Sequence, residues 1–176
     1  ARWQQTRSEL NGVAPAAGLM QLMRATQQHR GLSNGVLNGN AAGGAEREAT
    51  AGKLQGQWAA LEAAVAHLGD AALVQKVAAQ RAELTTLADA VQQRSIQAAD
   101  SFARHTRLID GQTELLYDVA VVSGLVLHPE PVGYFLQDVA LRQMPPVAEA
   151  LARLRGSAMG MLSRGDASTS DRAQLS

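Results

Sequence analysis

The sequence contains no cysteine, which excludes a disulfide framework and any thiolate metal site and leaves the compartment unreadable from redox chemistry. Aromatic residues make up only 3% of the chain, too few for an aromatic-rich strand protein. Charge of one sign is also missing. Sixteen basic residues face sixteen acidic ones, so no overall field draws nucleic acid, an anionic membrane or an acidic protein surface, and any recognition must be local. We therefore expect no nucleic-acid partner. The most apolar run, Leu115 to Leu127 (LLYDVAVVSGLVL), carries Asp118 and is well short of the roughly 20 residues that cross a bilayer, so it reads as a core helix. No charged segment followed by an apolar one opens the sequence, so a signal peptide is either absent or already removed.

What is abundant points to one fold class. Alanine, leucine, glutamine and arginine recur throughout a chain that is 46% apolar, the composition of long helices with a real core. The first helical stretch runs from about Arg2 to Leu37, with Pro15 expected to kink or break it near Asn11 to Pro15. Asn38 to Gly44 forms the first turn. A second helix from about Ala45 to Leu68 carries Leu54, Trp58, Leu61, Val65 and Leu68 at core spacing; Gly69 closes it and Asp70 caps a third, which runs to about Arg94 with Leu73, Val77, Leu84, Leu87 and Val91 as its buried residues. Around Ser95 to Ser101 both a break and a continuous helix fit the pattern. A fourth helical stretch ends at His128-Pro129-Glu130-Pro131, and a fifth starts near Val132 and meets Pro145-Pro146, which must kink or restart it. Val147, Leu151, Leu154 and Met161 or Leu162 are expected to continue its inward apolar stripe. Short connections between such helices imply antiparallel neighbours. The fold class expected is all-α, an up-and-down bundle of four-helix type, in one layer or two. After Arg164-Gly165 the segment DASTSDRAQLS offers Ser and Thr caps and the first turn of a further helix. Residues 1–176 are therefore expected to form a single helical domain that is a fragment of a larger module, cut within its C-terminal helix.

The segment 21–44, QLMRATQQHRGLSNGVLNGNAAGG, holds two arginines and a histidine and no carboxylate; the nearest acids in sequence are Glu9 and Glu46. Positions 19/20, 23, 27, 30, 34 and 37 form one stripe at the helical period, and seven residues are nearly two full turns, so Met23, Arg30 and Leu37 align within about 20° around the axis. Arg30 thus sits on the inward face, with Gln27, Ser33 and Asn34 around it. A buried guanidinium keeps its proton, and an unpaired one costs about 3–5 kcal/mol. Two readings stay open: an anionic ligand held by Arg30, with Gln27 and Ser33 adding hydrogen bonds, or an ion pair with a carboxylate of another helix. Asp110, Glu114 and Asp118, spaced four apart, are available for the second.

Other features are weaker. Arg24 and His29 point away from Arg30 and read as solvated. Tyr117 and Tyr134 can donate hydroxyls to a ligand or to bundle neighbours. Arg155 stands close to the Val147-Leu151-Leu154 stripe as a second anion contact, whereas Arg153 pairs with Glu149 at i,i+4. Gly156 and Gly160 have the spacing of close helix packing. The histidines, His29, His67, His105 and His128, show no pair at i,i+4, so no metal site is expected. The loop GNAAGGAER lacks the lysine and Ser/Thr of a phosphate loop and reads as a turn. No Ser-His-Asp order, catalytic carboxylate pair or nucleophile elbow is present, so neither enzyme activity nor a cofactor is expected.

Two blocks carry a family resemblance. Gln28, His29, Arg30, Gly31, Leu32 and Ser33 resemble the first-helix Gln/Glu-x-Arg-Gly-Leu-Ser core of bacterial nitrate- and nitrite-sensing domains and related helical sensors. The stretch Val119 to Gly156 is similar to one found in extracytoplasmic sensor regions of methyl-accepting chemotaxis proteins and sensor histidine kinases: Ser-x-Leu, a His-Pro turn, Tyr134-Phe135-Leu136, Met144-Pro145 and Arg155-Gly156. The second aromatic is Phe135, a mild departure, and the last helix or helices of such a module are expected to be missing from residues 1–176. The resemblance implies a periplasmic all-α sensor module of a membrane-anchored receptor, homodimeric, whose first-helix arginine faces a small anionic ligand between bundle helices and whose helices shift on binding. The rival reading is a helical dimerisation or protein-interaction bundle with no small-molecule ligand.

Overall fold

Alternation of helix formers with glycine and proline punctuation produces six α-helices among the described residues. The computed structural model describes residues 2–127 and 131–165, as α1 (Arg2–Leu37), α2 (Gly44–Ala66), α3 (Ala71–Gln92), α4 (Ala98–Ser123), α5 (Pro131–Asp138) and α6 (Met144–Arg164). Gly39 takes a positive φ of 104° in the turn after α1, and a single 3-10 turn, Ala41–Gly43, leads into α2. Asp70 caps α3 as expected, its carboxylate accepting from the Leu73 N–H at 2.8 Å. The region left open between α3 and α4 is a break: Arg94 adopts φ 51° and Gln97 is extended, so the helix ends and restarts.

Contacts fix the topology. Gln28–Glu46 and Gly18–Leu61 set α1 antiparallel to α2. Arg81–Glu62 and Gln92–Glu48 do the same for α2 and α3, and Lys76–Asp118 and Arg104–Glu83 for α3 and α4. Thr26–Gln112 and Gly12–Ser123 return α4 antiparallel to α1. These four helices are the expected up-and-down bundle, filled by Leu19, Leu22, Leu54, Trp58, Leu61, Leu87, Leu115 and Leu116, all at most 2% exposed. Burial of such side chains contributes about 1.5–3 kcal/mol each.

Helix α6 is a fifth member, and it runs parallel to α1: Gln27 meets Glu149, Gly31 meets Gly156, and Asn34 meets Gly160. Consequently α1 is the central helix, flanked by α2, α4 and α6. From Leu22 to Val36 only Arg24 and Gln28 are exposed.

Three expectations are corrected. First, α1 is unbroken through Pro15. The lost hydrogen bond to Asn11 is tolerated because Pro15 itself is buried and the turns around it pack, Gly12 against Ser123 and Leu19 into the core. Second, His29 is fully buried, because α1 is covered on more than one side and burial is not limited to one stripe. Third, the Val147-Leu151-Leu154 stripe faces outward, with Leu151 64% exposed. The inward face of α6 is instead Glu149, Ala152, Gly156 and Gly160, on the opposite side of the helix. Small residues allow the close approach to α1 that a leucine face would prevent.

Pro145 and Pro146 restart the helix, as expected. Both lack the N–H that would bond four residues back, and a π turn, Val139–Gln143, closed by the Met144 N–H on the Val139 carbonyl, carries the chain into α6. The His128-Pro129-Glu130-Pro131 stop lies largely outside the described residues, as does the segment after Gly165. Among the described residues no helix is long and apolar enough to cross a membrane.

Candidate functional site

Arg30 extends from the C-terminal part of α1 into the seam between α4 and α6 and is fully buried. Its partner is Glu149 of α6, not Asp110, Glu114 or Asp118. Nη1 donates to Oε1 at 2.6 Å and Nη2 to Oε2 at 3.3 Å. Those three acids point elsewhere: Asp118 binds Lys76, Asp110 binds Arg153, and Glu114 is exposed. Glu149 is itself 7% exposed and receives two further donors, Gln27 Nε2 at 3.0 Å and Arg153 Nε at 2.8 Å. The i,i+4 contact expected between Arg153 and Glu149 is thus present.

The rest of the guanidinium is positioned by α4. Arg30 Nη1 also donates to Thr106 Oγ1 at 2.9 Å, and the Phe102 ring lies 4.8 Å from the guanidinium carbon, a cation–π contact. Arg30 Nε–H is buried with no acceptor in hydrogen-bond reach. Beside this group a groove of about 600 Å³ opens between α4 and α6, lined by Phe102, Thr106, Arg153, Leu154 and Ser157. The guanidinium edge that holds the Glu149 carboxylate by two parallel N–H bonds matches the geometry of a planar oxyanion, and the Nε–H is left without an acceptor.

A second polar cluster lies one residue away. His29 Nδ1 stands 2.8 Å from His105 Nε2, His105 Nδ1 stands 2.8 Å from the Ser101 carbonyl, and Arg47 Nη1 stands 3.5 Å from His29 Nε2. Only one set of tautomers satisfies all three: Arg47 donates to His29, His29 to His105, and His105 to Ser101. Both rings are neutral at pH 7. Burial, then the Arg47 charge, lowers His29 from 6.5 to about 4. Burial, then its neighbour His29, lowers His105 to about 3. Ser33, also buried, approaches His29 Nδ1 at 3.5 Å.

Of the residues singled out in the sequence, the structure brings Gln27 and Arg30 together, while Ser33 belongs to the histidine cluster. Tyr117 and Tyr134, both half exposed, share a separate cavity of about 260 Å³ with Leu141 and Arg142. Tyr117 is eleven residues from Thr106, about 16 Å along α4. Arg155 faces another groove, with Arg24 and Gln28, because six residues beyond Glu149 turn it roughly 120° away around α6. Sequence reasoning missed Glu149, Thr106, Phe102, Arg47 and His105. For the buried cluster a signal existed: the second half of α1 holds no carboxylate and only Arg24 and Arg30 as charges, few for a helix with a solvated face.

Among curated proteins and solved structures, no match to this chain is found. One family model does match, described as nitrate and nitrite sensing, over residues 21–176, which includes Arg30, Glu149 and every other residue of both clusters. A helical bundle with a buried arginine on its first helix, matched over most of its length in this way, belongs to the nitrate and nitrite sensing family.

Proposed function

We propose that residues 1–176 form one ligand-binding sensor domain that takes up a small oxyanion, nitrate or nitrite, or a small organic acid, at Arg30. The observation that carries this reading is the environment of the guanidinium: buried on α1, in contact with α4 and α6, with Nε–H unpartnered and a groove alongside. Gln27 supplies a further donor at the same point. Binding there favours one arrangement of α1, α4 and α6 over another, and the signal is that shift in population; a ligand with equal affinity for both arrangements would not signal. The two sequence blocks that resemble chemoreceptor and sensor-kinase modules support an extracytoplasmic, periplasmic placement in a membrane-anchored homodimer, with the helix displacement passed to a cytoplasmic output domain. Family membership supports a sensing role over catalysis.

A second reading is a helical dimerisation bundle. It draws on the apolar face that α5 and α6 leave open, where Phe135, Leu136, Val147 and Leu151 are each more than half exposed, and on the ion pair that Arg30 already makes. The two readings separate in a thermal-shift screen of the chain against sodium nitrate, sodium nitrite and small organic acids at constant ionic strength. The sensor reading expects stabilisation of about 2–3 kcal/mol at a hundredfold excess over Kd, lost in Arg30→Ala. No anion-dependent shift, or an equal one in Arg30→Ala, would sink it.

A further inference from the structure

The Glu149 carboxylate has the shape and charge of the ligand proposed above. A carboxylate, nitrite and one edge of nitrate each present two oxygens in a planar fork carrying a single negative charge. The side chain occupies the fork-binding edge of Arg30 through both Nη atoms, at 2.6 and 3.3 Å, and takes the Gln27 amide at 3.0 Å. It reaches that position from α6, a helix outside the four-helix ring, and its second supporter, Arg153, belongs to α6 as well. Resting on the reading of Arg30 as the anion-binding residue, we propose that Glu149 is a resident competitor at the site: the external anion binds by displacing its carboxylate from Arg30, and Glu149 thereby sets the affinity.

Several features agree with an exchange of this kind. Arg153 Nε already bonds Oε1 at 2.8 Å and lies half exposed at the groove, so the released carboxylate keeps a charged partner and gains water instead of becoming a bare buried charge. The incoming anion takes the Nη1/Nη2 edge that the carboxylate leaves, while the second Nη1 hydrogen stays on Thr106. The groove between α4 and α6 is lined by Thr106 and Arg153, the side chains that bond Arg30 and Glu149. The competitor also acts as a filter. A singly charged planar fork replaces the carboxylate one for one, whereas a bulkier dianion such as sulfate brings an extra charge and a tetrahedral shape into a seat built around a planar group.

The test is calorimetric titration of the full chain with sodium nitrate, sodium nitrite, sodium formate and sodium sulfate, in wild type, Glu149→Gln and Glu149→Asp. Glu149→Gln keeps the amide-sized group and removes the charge. Glu149→Asp keeps the charge, so the fold retains a partner for Arg30, but shortens the reach by one methylene. Removing charge-assisted hydrogen bonds that must otherwise be broken should tighten nitrate or nitrite binding about tenfold or more in Glu149→Gln, with a smaller gain in Glu149→Asp. Formate, the carboxylate head without its side chain, should bind Glu149→Gln and raise its Tm more than wild type's; sulfate should do neither. If wild type binds nitrate through Arg30 and both variants bind it equally or more weakly, the competitor role is overturned while the anion-binding role of Arg30 stands. If no anion binds wild type or either variant, both fall. If Glu149→Gln does not fold without added anion, Glu149→Asp alone decides by the same criterion.

Discussion

Gly31 of α1 and Gly156 of α6 stand face to face: a Cβ built on either lies 3.8 Å from the Cα of the other. This contact allows α6 to lie close enough for Glu149 to reach Arg30, and it makes Gly156 sensitive. A Cβ there also comes 2.9 Å from the edge of Phe102, the ring that packs on the Arg30 guanidinium. Gly156→Val should therefore destabilise the fold by about 1–3 kcal/mol, the usual cost of overpacking, read by urea denaturation. Gly111→Ala is the control: its Cβ meets only the flexible end of Gln80, so stability should hold or rise by up to about 1 kcal/mol from helix propensity. Equal losses at both positions would argue against close α1–α6 packing.

The ion pair between Arg30 and Glu149 predicts a non-additive mutation cycle. Arg30→Met alone leaves a nearly buried carboxylate with only Gln27 and Arg153, and should cost about 3–5 kcal/mol. Arg30→Met with Glu149→Leu replaces the pair by apolar groups and should recover most of that loss. Additive losses in denaturant titrations of the four proteins would refute the pairing.

The histidine pair predicts acid sensitivity. In the unfolded chain both rings titrate near 6.5, while in the fold they titrate at about 4 and about 3. The folded-state pKa values are depressed, so below 6.5 the unfolded state binds more protons, and stability present at pH 7 is lost as pH falls from 6.5 toward 4. Proton uptake on unfolding between pH 6 and 5 should approach about two per molecule. It should drop by about one in His105→Phe. A stability profile flat over this window would exclude the buried neutral pair.

The cap of α3 gives a local prediction. Asp70→Ala removes the acceptor of the Leu73 N–H and should cost about 1 kcal/mol, measured by thermal unfolding. Asp70→Asn should cost less than half of that, because the amide oxygen still accepts.

Local chemistry determined much of this protein. The all-α class followed from composition, the turn at Gly39 and the cap at Asp70 from residues with special backbone or side-chain chemistry, and the cores of α2 and α3 from spacing alone: Leu54, Trp58, Leu61, Val65, Leu73, Val77, Leu84, Leu87 and Val91 are all buried, while Leu68, just past the end of α2, is partly buried. Helices with one buried face display it as a periodic apolar stripe, which is why those two were legible. Arg30 was legible as an inward cation because it falls in register with Met23 and Leu37 on one apolar stripe of α1. The family match over residues 21–176 agrees with the resemblance carried by the Gln28 to Ser33 segment.

Tertiary structure decided the rest, because it concerns which helix meets which. No local signal says that α6 lies parallel to α1, so the counter-charge of Arg30 could not be assigned to Glu149 in place of the three acids of α4. A helix enclosed by α2, α4 and α6 has no single inward stripe, and so His29 is in the core. The same enclosure reverses the logic of α6, whose glycines pack inward and whose leucines face out, since only small side chains permit the short distance across which a glutamate can reach the arginine of α1.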